Sequence, residues 1–170
     1  VGRAAELGIL IRESTVFEKI ARVDTIFFDK TGTITEGRPA VTDLFAEEVT
    51  LSELLEAAAT AESAAAHPFG EAIIKRAAEE GVGIKDAEFA ENIAGKGIHV
   101  VAGSSDIIVG SDSFMREKNI KISDFVRSEI DDCEQAGKSI VLVAKNGKLL
   151  GVIALRDRIK ENAAHMVNCL

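Results

Sequence analysis

Hydrophobic positions change rhythm about a fifth of the way along the chain. Early on, residues 8–11 (Gly-Ile-Leu-Ile) read as a short strand. Val16, Phe17, Ile20 and Ala21 then recur at helical spacing, with Ser14 placed to cap that helix. Residues 25–28 (Thr-Ile-Phe-Phe) form a second apolar, β-prone run that stops abruptly at Asp29. Strand, helix and strand in that order predict a βαβ unit, and such a crossover joins parallel strands.

Beyond the breaker cluster Gly37-Arg38-Pro39 the pattern differs. It predicts a strand over 41–46 and an Ala-rich helix over 51–66, capped by Thr50 or Ser52. Pro68 opens a further helix, which Gly81 stops. Short strands follow at 89–93, 97–102 and 107–109, the last two joined by a Gly103-Ser104-Ser105 turn. Helices are expected over 113–118 and 123–135, the second ended by Gly137. Strands at 140–144 and 149–155 flank Lys145-Asn146-Gly147-Lys148, and Asn-Gly between apolar runs signals a tight hairpin. Residues 157–170 read as a helix. The middle of the chain is thus an antiparallel α+β lobe inserted into another lobe. The boundaries fall near 35–37 and 156–157, where two connecting strands would form a hinge.

At 170 residues the chain can bury one good core or two small lobes. A net charge of −8 argues against a nucleic-acid partner and against a polybasic membrane patch. No apolar run approaches the length needed to span a bilayer, so the chain is expected to be soluble by itself. Cys133 and Cys169 lack paired spacing and read as free thiols of a reducing compartment. A first residue Val1 and an end at Leu170 inside a helical pattern suggest a piece of a longer polypeptide.

Asp29 carries the strongest chemical signal. An acid at the carboxyl end of a strand sits where open α/β sheets bind ligands, and a carboxylate there can attack phosphorus. Gly32 lets the main chain turn closely around a phosphate. Lys30 is read as pointing away from Asp29, with a phosphate clamp as the alternative. Gly95-Lys96-Gly97 is a tight turn between strands. As a binding element it would bring backbone to a base or ribose, with Lys96 facing phosphate, and Gly110 would act likewise at the next strand end. It lacks the third glycine and following helix of a dinucleotide fingerprint, and it is no Walker loop. Asp157 either orients the hinge, contacts a nucleotide or caps a helix. His99 and His165 have no partners at ligand spacing and are read as structural. Glu47, Glu48, Glu53 and Glu56 are read as a solvated face.

Asp29-Lys30-Thr31-Gly32-Thr33 resembles the phosphorylation signature of P-type ATPases. Glu62, His67-Pro68 and Gly95-Lys96-Gly97 follow in the order and approximate spacing of the branch that transports heavy metals, copper above all. The resemblance covers essentially the whole chain. It implies an α/β fold: a partial haloacid-dehalogenase-like phosphorylation lobe with an inserted α+β lobe built on an antiparallel sheet flanked by helices. Residues 1–35 and 156–170 would belong to the phosphorylation domain, and 36–155 to the nucleotide-binding domain.

The resemblance further implies ATP and Mg2+ as cofactors and the cytoplasmic face of a membrane as location. The chain's partners would be ATP or ADP and the transmembrane and actuator domains of the same parent. Asp29, Thr31 and Thr33 would be catalytic, with Asp29 and the Thr31 carbonyl on magnesium and Thr33 on the phosphoryl group. Glu62, His67, Gly95, Gly97 and Gly110 would bind the nucleotide. His67 would stack on adenine, and Glu62 would accept from its amino group.

Related phosphatases carry a second Asp where Thr31 stands. A threonine cannot act as general acid or base near neutral pH, so an aspartyl-phosphate here would persist. That favours an ion pump over the first alternative, a soluble phosphatase of haloacid-dehalogenase type. The second alternative, a non-catalytic nucleotide-binding module, is favoured for the chain as it stands by Ser111 and the missing downstream motifs. Three departures from the family pattern stand out. Ala65-Ala66 replaces Ser-Glu before His67, Ser111 replaces Asn after Gly110, and the downstream T-G-D and G-D-G-x-x-N-D motifs do not occur in the 170 residues. The expected fragment therefore binds nucleotide weakly and turns over little by itself.

Overall fold

The computed structural model describes all residues except Val1, Ser14, Ala66 and Leu170; the Thr31 side chain also lies outside the description. Alternation of side chains builds the central sheet. Its six strands are β1 (Thr35–Ala46), β2 (Phe89–Ile93), β3 (Gly97–Ala102), β4 (Ser105–Gly110), β5 (Ser139–Lys145) and β6 (Lys148–Ile159). They lie in the order β1-β6-β5-β4-β3-β2, every neighbouring pair antiparallel. Along β4, Ile107 and Val109 point to one face and Ile108 to the other; along β5, Val141 and Val143 oppose Leu142 and Ala144.

Each face is covered by a pair of helices. On one side lie α3 (Leu51–Glu62) and α4 (Pro68–Glu79), on the other α5 (Asp112–Glu117) and α6 (Asp124–Gln135). The alanines Ala57, Ala58, Ala59 and Ala61 let α3 approach the sheet closely, with Leu54, Leu55 and Ile73 filling the space against Val100, Val109 and Ile153. Phe114, Met115, Val126 and Ile130 pack the other face onto Leu142 and Val152.

The local signals act as their chemistry dictates. Thr50, and not Ser52, caps α3 in a reciprocal box: Glu53 N–H donates to Thr50 Oγ1 at 3.2 Å, and Thr50 N–H to Glu53 Oε2 at 2.9 Å. Ser123 caps α6 one way only, its hydroxyl accepting from the Val126 N–H at 3.2 Å. Asn146 and Gly147 take φ of 52° and 76°, both left-handed, as a two-residue hairpin turn requires.

The first 34 residues depart from expectation. Two short helices, α1 (Gly2–Glu6) and α2 (Thr15–Ile20), bury no residue. Residues 8–11 are not a strand: Gly8, at φ 77°, ends α1 in a left-handed turn, with Gly8 N–H bonded to the Ala5 carbonyl. The Ser14 cap lies outside the described residues. Residues 25–28 belong to no strand, with Phe27 93 % exposed. A strand exists through its ladder, and every ladder among the described residues belongs to the antiparallel sheet. The parallel βαβ unit is therefore not formed. Two helix boundaries also move. The helix predicted over 51–66 ends at Glu62. The one predicted from 157 begins only at α7 (Ala163–Asn168), because β6 continues to Ile159 beside β1.

Candidate functional site

Between the α3–α4 side and the β3–β4 end of the sheet lies a cleft of about 300 Å³. Glu62, His67, Gly95, Gly97 and Gly110 all line it, together with Phe69, Lys96 and Ser111. Its floor is apolar, with Ile98, Val109 and Val141 beneath. A wider open groove of about 910 Å³, beside Glu48, Lys121 and Gly147, contains none of these residues.

Glu62 is the last residue of α3 and is only 8 % exposed. Burial pushes its carboxyl above the ordinary glutamate range. Its Oε2 lies 2.6 Å from where a Cβ on Gly70 would stand, so the bare backbone of α4 leaves room for the carboxyl. The nearby position 66 lies outside the described residues. His67 precedes proline and is extended (φ −135°, ψ 140°), which places it at the N-cap of α4. Its Nδ1 accepts from the Phe69 N–H at 3.2 Å, which assigns the ring proton to Nε2. The ring meets Phe69 edge-on, centroids 5.3 Å apart.

The glycines owe their identity to each other. Gly97 and Gly110 face one another across β3 and β4. A Cβ on Gly97 would sit 2.1 Å from the Val109 carbonyl oxygen, and one on Gly110 would sit 2.3 Å from that of Lys96. The same Lys96 carbonyl accepts the Ser111 N–H at 2.8 Å. Ser111 stands at the N-cap of α5, its hydroxyl accepting from Phe114 N–H. Gly95 is a turn residue at φ 73° with open space around it. The Lys96 ammonium is paired with Glu117 at 2.5 Å.

Asp29 lies elsewhere, outside this cleft. It is exposed and extended (φ −65°, ψ 142°) at the start of one wide helical turn, Lys30–Ile34, which leads into β1. Thr31 and Thr33 belong to that turn. Two residues from the far end of the chain hold it. Asp157, within β6, accepts from Thr35 Oγ1 at 2.6 Å and from the N–H groups of Gly37 and Arg38, each at 3.1 Å. Lys160 donates from Nζ to the Gly32 carbonyl at 2.7 Å, and its N–H to the Ile34 carbonyl at 2.9 Å. Of the readings open for Asp157, the helix cap fails, because the residue lies within β6. Thr35, 1 % exposed, is a residue that the pattern alone does not single out, because its partner lies 122 positions away.

His99 bonds to Asp106, and Cys133 and Cys169 are free thiols, one buried and one exposed.

The model of the haloacid dehalogenase-like hydrolases matches residues 23–170. A probable copper-exporting P-type ATPase of Archaeoglobus fulgidus is 42 % identical over 96 % of this chain, and copper-exporting P-type ATPase V of Mycobacterium tuberculosis, itself named as probable, is 35 % identical over 99 %. The chain spans 20 % and 22 % of those relatives' lengths. Among solved structures, the catalytic domain of the CPx-ATPase CopB-B superimposes with a TM-score of 0.73 at 27 % identity, over 99 % of this chain and 57 % of that one. A zinc-transporting PIB-type ATPase gives 0.67 at 33 % identity, over 97 % of this chain and 26 % of that one. The chain belongs to the haloacid dehalogenase-like hydrolases and, within them, to the heavy-metal P-type ATPases.

Proposed function

We propose that this chain supplies the ATP cleft and the phosphoryl acceptor of a heavy-metal P-type ATPase that exports copper. The observation that carries the reading is the convergence of Glu62, His67, Gly95, Gly97 and Gly110 on one cleft. Copper follows from what the curated relatives are named for. In this reading residues 36–155 form the nucleotide-binding domain. Residues 1–35 and 156–170 belong to the phosphorylation domain, and β1 and β6 cross between the two. The transmembrane and actuator domains of the parent are the partners, and the cytoplasmic face of the membrane is the location.

The residues divide the work. The His67 ring stacks on adenine, and the Glu62 carboxyl accepts from the exocyclic amino group. Backbone at Gly95, Gly97 and Gly110 approaches the ribose. A carboxylate oxygen of Asp29 attacks the γ-phosphorus in line. As that O–P bond forms, the bond to the bridging oxygen breaks, and ADP leaves with the electron pair. Thr33 contacts the transferred group. Thr31 offers no acid or base to hydrolyse the product, which favours a pump over a phosphatase.

Among the described residues no three His, Cys, Asp or Glu side chains converge on a metal position. A single exposed carboxylate, Asp29, beside the Thr31 backbone suits magnesium, which binds through one or two carboxylates plus substrate phosphates. Asp29 and the Thr31 carbonyl would hold it, and it would neutralise charge between the nucleotide and the acceptor.

Calorimetric titration with ATP, ADP and AMP tests the cleft. All three should bind the wild type, and His67→Ala should weaken all three. No binding by folded wild type would refute the reading. In the full-length parent, γ-labelled ATP should leave an acid-stable, hydroxylamine-sensitive label that Asp29→Asn abolishes.

A further inference from the structure

We propose that Lys96 is the side chain that reads the phosphate chain of the nucleotide, and that Glu117 competes for it and so sets the preference for ATP over adenosine. The inference rests on the nucleotide reading of the cleft.

Lys96 is the one Lys or Arg among the residues lining the cleft, in a chain of net charge −8. Its backbone is fixed: its N–H donates to the Ile93 carbonyl at 3.0 Å, and its carbonyl accepts from Ser111 at 2.8 Å. Only the flexible four-carbon stem is left to move. The ammonium is held by Glu117 Oε2 at 2.5 Å, on the last turn of α5, with the two side chains 41 % and 55 % exposed. Glu117 does not line the cleft. The lysine holds the Glu117 carboxyl below its ordinary range, as expected of a paired acid.

An exposed ion pair of this kind is weak, so the ammonium can exchange partners at little cost. A polyphosphate carries several charges where Glu117 carries one, and it presents more acceptor oxygens. Lys96 therefore leaves Glu117 for the phosphates when a nucleotide with a phosphate chain binds. Adenosine, engaging Glu62, His67 and the glycine backbone but offering no phosphate, leaves the pair intact. Glu117 thus lowers affinity for ATP and ADP without touching the base.

The test is calorimetry with adenosine, AMP, ADP and ATP on the wild type, Glu117→Gln and Lys96→Met, each first shown to melt like the wild type. Glu117→Gln should bind ATP about two- to fivefold more tightly, with adenosine unchanged. Lys96→Met should bind ATP roughly tenfold more weakly, and raising the salt should shrink that difference. Equal effects on adenosine and ATP, or none on either, would overturn the inference while leaving the cleft an adenine site. Failure of every ligand to bind the wild type would overturn the nucleotide reading itself and this inference with it.

Discussion

Glu62→Gln should make the protein more stable and a poorer nucleotide binder. Glu62 is 8 % exposed, and burial alone displaces its carboxyl upward. The folded state therefore holds the Glu62 proton more tightly than the unfolded chain, whose ordinary value is 4.5. Below that pH the residue costs nothing, and stability is lost as pH rises from there towards the folded-state value. Glutamine has no charge to desolvate. The amide keeps the polar atoms and loses only the charge, so the gain is that of no longer desolvating a carboxylate at the edge of an open cleft, about 1 kcal/mol. For a chain of this length that is a rise in melting temperature of about 2–4 °C near pH 8, vanishing near pH 4. Binding should move the other way. A charge-assisted hydrogen bond is about twice as strong as a neutral one, so the loss is about 1 kcal/mol, or about fivefold in affinity for AMP. Thermal melts at both pH values, with calorimetry near pH 8, read both effects. A variant that melts no higher than wild type near pH 8, or gains equally at both pH values, would refute the assignment of burial as the controlling force.

Three further outcomes follow from the geometry. Gly97→Ala should cost about 3 kcal/mol or more in urea denaturation, because its Cβ would lie 2.1 Å from a carbonyl oxygen at a φ of 148°, whereas Gly83→Ala, with open space around it, should cost little. Asp157→Asn should weaken three hydrogen bonds and set an amide donor against them, speeding hydrogen exchange at Gly37 and Arg38 before global stability changes. The carboxyl of Asp43 is held low chiefly by the hydrogen bond from Lys138 at 2.6 Å, so its contribution is present above the ordinary value of 3.8 and lost as pH falls below it. Lys138→Met should accordingly raise the pH of acid unfolding, with no difference from wild type at pH values where Asp43 is protonated in both.

Most elements legible from sequence find their partners nearby, although the strand read over 41–46 pairs with distant β6. The hairpin at Asn146-Gly147, the caps at Thr50 and Ser123 and the strands of the β2–β3–β4 meander all depend on contacts within about 20 residues, and all form where the pattern puts them. The cleft residues are picked out by the resemblance to the P-type ATPase pattern rather than by periodicity, and the fold brings them together over short distances along the chain. Glu62 and His67 flank a single helix junction, and Gly97 and Gly110 face each other across one turn of the meander. Apolar character at 25–28 marks a segment that needs covering, but no ladder among the described residues covers it, and Phe27 stays 93 % exposed. Residues 157–159 have helical composition, yet β1 offers them a hydrogen-bonded edge, and tertiary pairing outweighs a weak local preference.

What sequence could least reveal is how the two ends of the chain act together. The Asp29 turn precedes β1 and the Asp157–Lys160 segment closes β6, over 120 positions later, yet these strands are immediate neighbours. Thr35 Oγ1 has one proton, and the 2.6 Å contact gives it to Asp157 in preference to the Lys30 carbonyl at 3.1 Å. The same oxygen then accepts from the Gly32 N–H at 3.2 Å. One buried hydroxyl thereby joins the loop that carries Asp29 to β6. Ladder pairing is irregular at this point, with a register shift between Thr35 and Pro39, so the backbone there is held by side chains more than by the ladder. A rotation between the sheet and the Asp29 loop would have to work against these few bonds. The turn that follows Asp29 is thus held by three residues, Thr35, Asp157 and Lys160, none of which lines the cleft.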